Sequence, residues 1–123
     1  MKLHPELNPS LNTVTAYGEG FIEINRRRFE GALILQPEGE VISWQATSFE
    51  LLEAEHFASL AAHAPDLVVL GTGARQRFPH PRITASLIDA GVGVEVMDTR
   101  AACRTYNILM GEGRRVLAAL LPL

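Results

Sequence analysis

The residues of this chain best placed to do chemistry fall into two groups. One is Gly71-Thr72-Gly73, with Arg75 and Arg77 close behind; the other is Asp98-Thr99. Each follows a short run of the kind that forms a buried strand, Leu67-Val68-Val69-Leu70 in the first case and Val92-Gly93-Val94-Glu95-Val96-Met97 in the second. Two parallel strands would deliver both groups to one end of a sheet, beyond the carboxyl termini, where α/β proteins usually hold ligands. Loop amides flanked by arginines suit a small anion. Gly71, Thr72, Gly73, Arg75, Asp98 and Thr99 are therefore the candidate ligand contacts. A dinucleotide fits poorly, because its fingerprint needs a third glycine where Gln76 stands and a helix N-terminus that Pro79 and Pro81 forbid. A structural account competes: glycine permits a tight exit from a buried strand, and Asp98 or Thr99 caps a helix.

The other reactive residue types give less. Cys103 falls on the apolar side of a predicted helix, where a thiol behaves as a small hydrophobe and keeps a high pKa. The histidines His4, His56, His63 and His80 show no one-turn spacing and no accompanying cysteines, so neither a metal site nor a cofactor is predicted. No paired acid and base or activated nucleophile can be named as catalytic. Glu112 and Arg114, separated by Gly113 at a helix exit, form either a weak surface ion pair or a partner contact.

The elements that must position these residues follow from pattern. Residues 1–12 contain Pro5 and Pro9 without a sustained period and read as an extended arm; residues 13–123 read as one α/β domain. From Thr13 to Trp44, β-branched and aromatic alternation broken by Gly18-Glu19-Gly20, Asn25 and Pro37-Glu38-Gly39 predicts a meander of short antiparallel strands. Thr47-Ser48-Phe49-Glu50 has the form of a capping box. It predicts one amphipathic helix ending before Pro65, with Leu51, Ala54, Phe57, Ala58 and Ala61 on its buried arc.

Residues 66–71 are then the centre of the sheet, and a loop over that strand's carboxyl end leads to a helix from Arg82 to Ala90 closed by Gly91. Residues 92–97 repeat the buried-strand signal. On the helix from Thr99 to Met110, Ala102, Cys103, Tyr106, Leu109 and Met110 form the apolar arc, with Arg100, Arg104 and Asn107 in a polar stripe. Residues 116–121 are ambiguous in pattern, and a strand is preferred to a short helix.

Composition sets outer bounds. The chain of 123 residues is 47% apolar and 20% charged, as in ordinary globular proteins, and has no run long enough for a membrane helix. A net charge of −3, with Arg26-Arg27-Arg28 at an expected hairpin turn as the only basic run, argues against nucleic acid. One cysteine and an N-terminal segment without signal-peptide character point to a cytoplasmic protein.

Four ordered motifs carry a resemblance: Gly71-Thr72-Gly73; Gly91-Val92-Gly93-Val94-Glu95-Val96-Met97-Asp98-Thr99; Thr105-Tyr106-Asn107-Ile108-Leu109; and Glu112-Gly113-Arg114. Together they resemble a small family long carried as a domain of unknown function. Its eukaryotic members include a mitochondrial complex I assembly factor and the adipogenesis-associated domain protein. The resemblance implies a three-layer α/β fold with a central mixed sheet, parallel core strands, an appended antiparallel N-terminal β-ribbon and a final strand from Arg115 onward. It implies no reaction. It points to a non-enzymatic interaction or assembly protein whose partners include respiratory complex subunits, with an enzyme or small anionic-ligand binder at the strand ends as the alternative. The chain has no mitochondrial presequence, which fits a bacterial or cytosolic relative.

Overall fold

The structure, a computed structural model, describes residues 10–123, so residues 1–9 of the expected arm lie outside the described part. The N-terminal alternation forms an antiparallel ribbon of β1 (Val14–Gly18), β2 (Phe21–Ile24) and β3 (Arg27–Glu30), in that spatial order. Asn25 and Arg26 make the tight β2–β3 turn, both in the left-handed region at φ 50° and 68°. Arg26 therefore occupies the turn itself, while Arg27 and Arg28 lie on the ribbon's edge strand.

The main sheet holds β4 (Leu33–Leu35), β5 (Ile42–Ser43), β6 (Leu67–Gly71), β7 (Gly93–Met97) and β8 (Val116–Leu120) in the order β5-β4-β8-β6-β7. Strand β6 runs parallel to both β7 and β8, whereas β4 is antiparallel to β8 and β5. Residues on successive strand positions face opposite sides, so the apolar runs of β6 and β8 feed two cores at once. Val68, Leu70, Leu117 and Ala119 pack with Phe57, Leu60 and Leu87 on one side. Val69, Ala118 and Leu120 pack with Cys103, Tyr106 and the ribbon's Tyr17 and Ile24 on the other. The helices α1 (Ala54–Ala58) and α2 (Pro81–Asp89) cover the first face, and α3 (Thr99–Gly111) with the ribbon covers the second.

Several expectations hold. Pro81 opens α2 behind His80, Gly91 follows its end at φ 80°, and residues 116–120 form a strand. Three need correction. The middle strand is β8, since the C-terminal segment inserts between β4 and β6. Strand β7 is an edge, with Gly93 and Glu95 exposed and Val94, Val96 and Met97 half-buried. Its Val and Met residues gave the signal of an interior strand because α2 and α3 lean on its two faces.

The helix expected from the Thr47 box is instead broken into a 3-10 turn at Phe49–Leu51, the short α1, and a second 3-10 turn at Ser59–His63. Ser48 is the first N-cap and makes no side-chain capping bond, and the Glu50 carboxylate binds Arg77. Leu52 then turns extended and buries its side chain, shifting the phase so that Leu52, Phe57 and Leu60 face the core while Leu51, Ala54, Ala58 and Ala61 are exposed. A new start forms at Glu53, whose amide donates to His56 Nδ1 at 2.9 Å. Among the described residues no helix is long and apolar enough to cross a membrane.

Candidate functional site

Parallel pairing of β6 with β7 matches Gly71 to Met97, and this register brings Gly71-Thr72-Gly73 against Asp98-Thr99 as the sequence suggests. What the two segments do there is bond to each other. Thr99 is fully buried; its Oγ1 accepts from the Gly73 amide at 2.8 Å and donates to the Leu121 carbonyl at 2.7 Å, while its own amide donates to the Gly73 carbonyl at 2.9 Å. One hydroxyl thus joins three chain segments. Gly71 is required by the same contact, because a Cβ there would lie 2.9 Å from Thr99 Oγ1 and 3.0 Å from Thr99 Cα. Gly73 adopts φ 97°, which leads the chain off β6.

Thr72 is also engaged. Its hydroxyl lies 2.7 Å from the Arg75 carbonyl and 3.1 Å from the Met97 carbonyl, and it accepts from the Arg77 amide at 3.2 Å. A carboxylate oxygen of Asp98 caps α3 by accepting from the Ala101 amide at 2.9 Å. Gln76 donates from Nε2 to the Val96 carbonyl, binding the loop to the edge strand. Outside this clasp lies a cleft of about 350 Å³ lined by Thr72, Gly73, Arg75, Arg77, Ser48 and Phe49, among others. Arg75 is exposed there. The Arg77 guanidinium sits 4.1 Å from the centre of the Phe49 ring and pairs with Glu50, whose carboxyl it holds below the usual range by direct hydrogen bonding.

Glu112 and Arg114 are at the other end of the sheet and are not brought to this cleft. They flank Gly113, at φ 80°, in a helix-closing motif where the Gly113 amide donates to the Met110 carbonyl and the Arg114 amide to the Leu109 carbonyl. Both side chains are exposed. Arg114 borders a second cleft, of about 300 Å³, with His63, Gln36 and Arg115. Arg115 is tied to Asp66 at 3.1 Å.

Cys103 is buried beneath α3, and burial raises its thiol to about 12, against a smaller opposing pull from Arg104. Burial likewise pushes the Tyr106 phenol upward.

Two sets of residues carry roles that the sequence did not reveal. Asn107, placed in a polar stripe by periodicity, grips the backbone of β1: its Oδ1 accepts from the Val14 amide at 2.9 Å and its Nδ2 donates to the Val14 carbonyl at 2.8 Å. Tyr106 donates to the Asn12 carbonyl, and Arg104 donates to the Tyr17 hydroxyl, both at 2.7 Å. Arg104, Tyr106 and Asn107 therefore fasten the ribbon and the residue leading into it to α3. The second is Trp44, 4% exposed, whose Nε1 has no hydrogen-bond acceptor among the described residues.

Solved structures agree with this architecture, and curated relatives match the chain in sequence. A crystal structure of a Bordetella parapertussis protein superposes with a TM-score of 0.88 at 49% identity, covering 97% of this chain and 100% of that one. A solution NMR structure of a Bordetella pertussis protein, described as a Mth938-like domain, gives 0.82 at 44% identity, covering 99% and 92%. Over 117 residues the chain is 32% identical to NADH dehydrogenase (ubiquinone) 1 alpha subcomplex assembly factor 3 of Bos taurus, which is 94% of this chain and 63% of that protein. The chain thus spans less than two thirds of the length of the mammalian relatives it matches. The family model described as "Protein of unknown function (DUF498/DUF598)" matches residues 14–121, which hold all the strands of both sheets and all the helices. The chain belongs to the DUF498/DUF598 family.

Proposed function

We propose that this protein is a non-enzymatic, cytoplasmic interaction module that acts in assembling a respiratory NADH dehydrogenase. The observation that carries this reading is the 32% identity over 117 residues to a protein named as an assembly factor of that complex. The site chemistry favours it. The polar groups at the strand ends are spent on the clasp of Thr72 and Gly73 with Met97 and Thr99 and on the Asp98 cap of α3, while Glu112 and Arg114 stand exposed at the opposite end, available to a protein surface. Tagged protein expressed at native level should co-purify NADH dehydrogenase subunits or their partial assemblies. Reversing both charges, Glu112→Arg with Arg114→Glu, should reduce that recovery. A deletion strain with normal amounts and activity of the complex would refute the assignment.

A second reading rests on the 350 Å³ cleft, where exposed Arg75 could meet a small anion beyond the clasp. It predicts that Arg75→Ala abolishes a thermal shift produced by an anionic metabolite; no shift across a panel of such compounds would dismiss it.

A further inference from the structure

The cleft of about 350 Å³ beyond the strand-end clasp retains hydrogen-bond donors that the fold does not use. One wall is the loop leaving β6, with Ala74, Arg75 and Arg77; the other is the Thr47-Ser48-Phe49-Glu50 segment, and Pro122 lies alongside. Several acceptors around it are engaged. The Gly73 carbonyl accepts from the Thr99 amide, the Leu121 carbonyl from Thr99 Oγ1, the Arg75 carbonyl from the Thr72 hydroxyl, and the Glu50 carboxylate from Arg77. Donors are left over. Ser48 makes no capping bond through its hydroxyl, and neither the Thr47 hydroxyl nor the amides of Ala74 and Arg75 meet an acceptor among the described residues.

The two arginines differ in what remains to them. Arg77 is fixed across the cleft, with its guanidinium 4.1 Å from the centre of the Phe49 ring and its charge balanced by Glu50, so the pair ties one wall to the other. Arg75 is exposed; its guanidinium hydrogen-bonds to none of the described residues and acts on Glu50 only through space. Two arginines against one glutamate leave the lining with a single net positive charge, carried by Arg75. That balance favours a monoanion, because a second negative charge would face Glu50 without a cation of its own. The guanidinium fork pairs both oxygens of one carboxylate. Ala74 and Pro122 supply an apolar surface for what the carboxylate is attached to.

We infer that this cleft binds an aliphatic monocarboxylate, with its oxygens on the Arg75 guanidinium and on the hydroxyls of Thr47 and Ser48, and its carbon chain against Ala74 and Pro122. The inference rests on the second reading above, that the cleft receives an anion, and narrows it to one class. A free small acid and the C-terminal residue of a protein carry the same group.

Amide NMR spectra report on both walls through Ser48, Ala74 and Arg75. Titration with isovalerate or N-acetyl-leucine should move these peaks, whereas inorganic sulfate, a dianion, and neutral isovaleramide should move them less. Tighter binding of isovalerate assigns a free acid, and tighter binding of N-acetyl-leucine the end of a protein chain. Arg75→Ala should weaken carboxylate binding about 10-fold or more, the worth of a hydrogen bond to a charged group. The change leaves the clasp intact, since Arg75 takes part in it only through its backbone carbonyl. Arg75→Lys keeps the charge without the fork and should restore only part of the loss. Glu50→Gln frees the charge of Arg77, so sulfate should gain on isovalerate. Sulfate or isovaleramide binding the parent as tightly as the carboxylates overturns the inference, and in the case of sulfate the anion reading survives. Peaks unmoved by every anion at the highest soluble concentration remove both. An Arg75→Ala variant that binds isovalerate as tightly as the parent also overturns it.

Discussion

Replacing Thr99 by valine tests whether the strand-end constellation is a structural clasp. The two side chains have nearly the same shape, so the change removes a hydroxyl without leaving a hole. It would strip the Gly73 amide of its acceptor and the Leu121 carbonyl of its donor, at a residue with no exposed surface. An orphaned buried backbone group costs about 1–3 kcal/mol, and two of them give an expected loss of about 2–5 kcal/mol after small gains from the added methyl. That is a large share of the roughly 5–15 kcal/mol typical of a natural domain.

Guanidinium denaturation should show the midpoint falling with an unchanged slope, because the surface exposed on unfolding is the same. Thr99→Ser keeps both hydrogen bonds and removes only a methyl, so its loss should stay near 1 kcal/mol. The reasoning fails if Thr99→Val costs less than about 0.5 kcal/mol, below the cost of one buried unpaired group. It fails equally if serine is as damaging as valine, since packing would then be the cause.

Two further outcomes follow from the contacts of α3. Asn107→Leu should free the Val14 amide and carbonyl and lower hydrogen-exchange protection at Val14 and Tyr17, while β6 and β8 stay protected; uniform loss would mean that the ribbon is not separately fastened. Cys103 has a folded-state pKa raised by burial to about 12, above its unfolded value of about 8.5, so between these limits the unfolded chain has lost a proton that the folded chain retains. Stability is complete below the unfolded pKa and declines as pH rises toward the folded one, by about 1.4 kcal/mol per pH unit from this group. The difference in alkaline denaturation between the parent and Cys103→Ala measures it, and parallel pH profiles would contradict the assigned burial effect.

Much of the strand-end site was legible because its cause is local. A glycine after a buried run, an Asp-Thr pair before an apolar-periodic stretch, and prolines delaying the next helix each constrain the backbone within a few residues. The sequence pattern therefore located Gly71, Gly73, Asp98 and the start of α2 correctly. The helix over residues 47–64 misled for a complementary reason. Its capping box was chemically sound, but Glu50 found a partner in Arg77 from a distant loop, and the burial of Leu52 reset the phase of what followed.

What the sequence determined by itself, outside the broken helix of residues 47–64, is the set of elements, their alternation and the chain reversals, because these depend on side-chain period and on φ preferences expressed within a turn or two. Tertiary structure alone decided the order of strands, with β8 in the middle and β7 at the edge, and it alone assigned the polar groups. The Thr99 hydroxyl serves Gly73 and Leu121, Asn107 serves Val14, and the Trp44 N–H is left without an acceptor among the described residues. Those outcomes depend on which segments meet across 22 to 93 residues of chain, a fact no local pattern encodes.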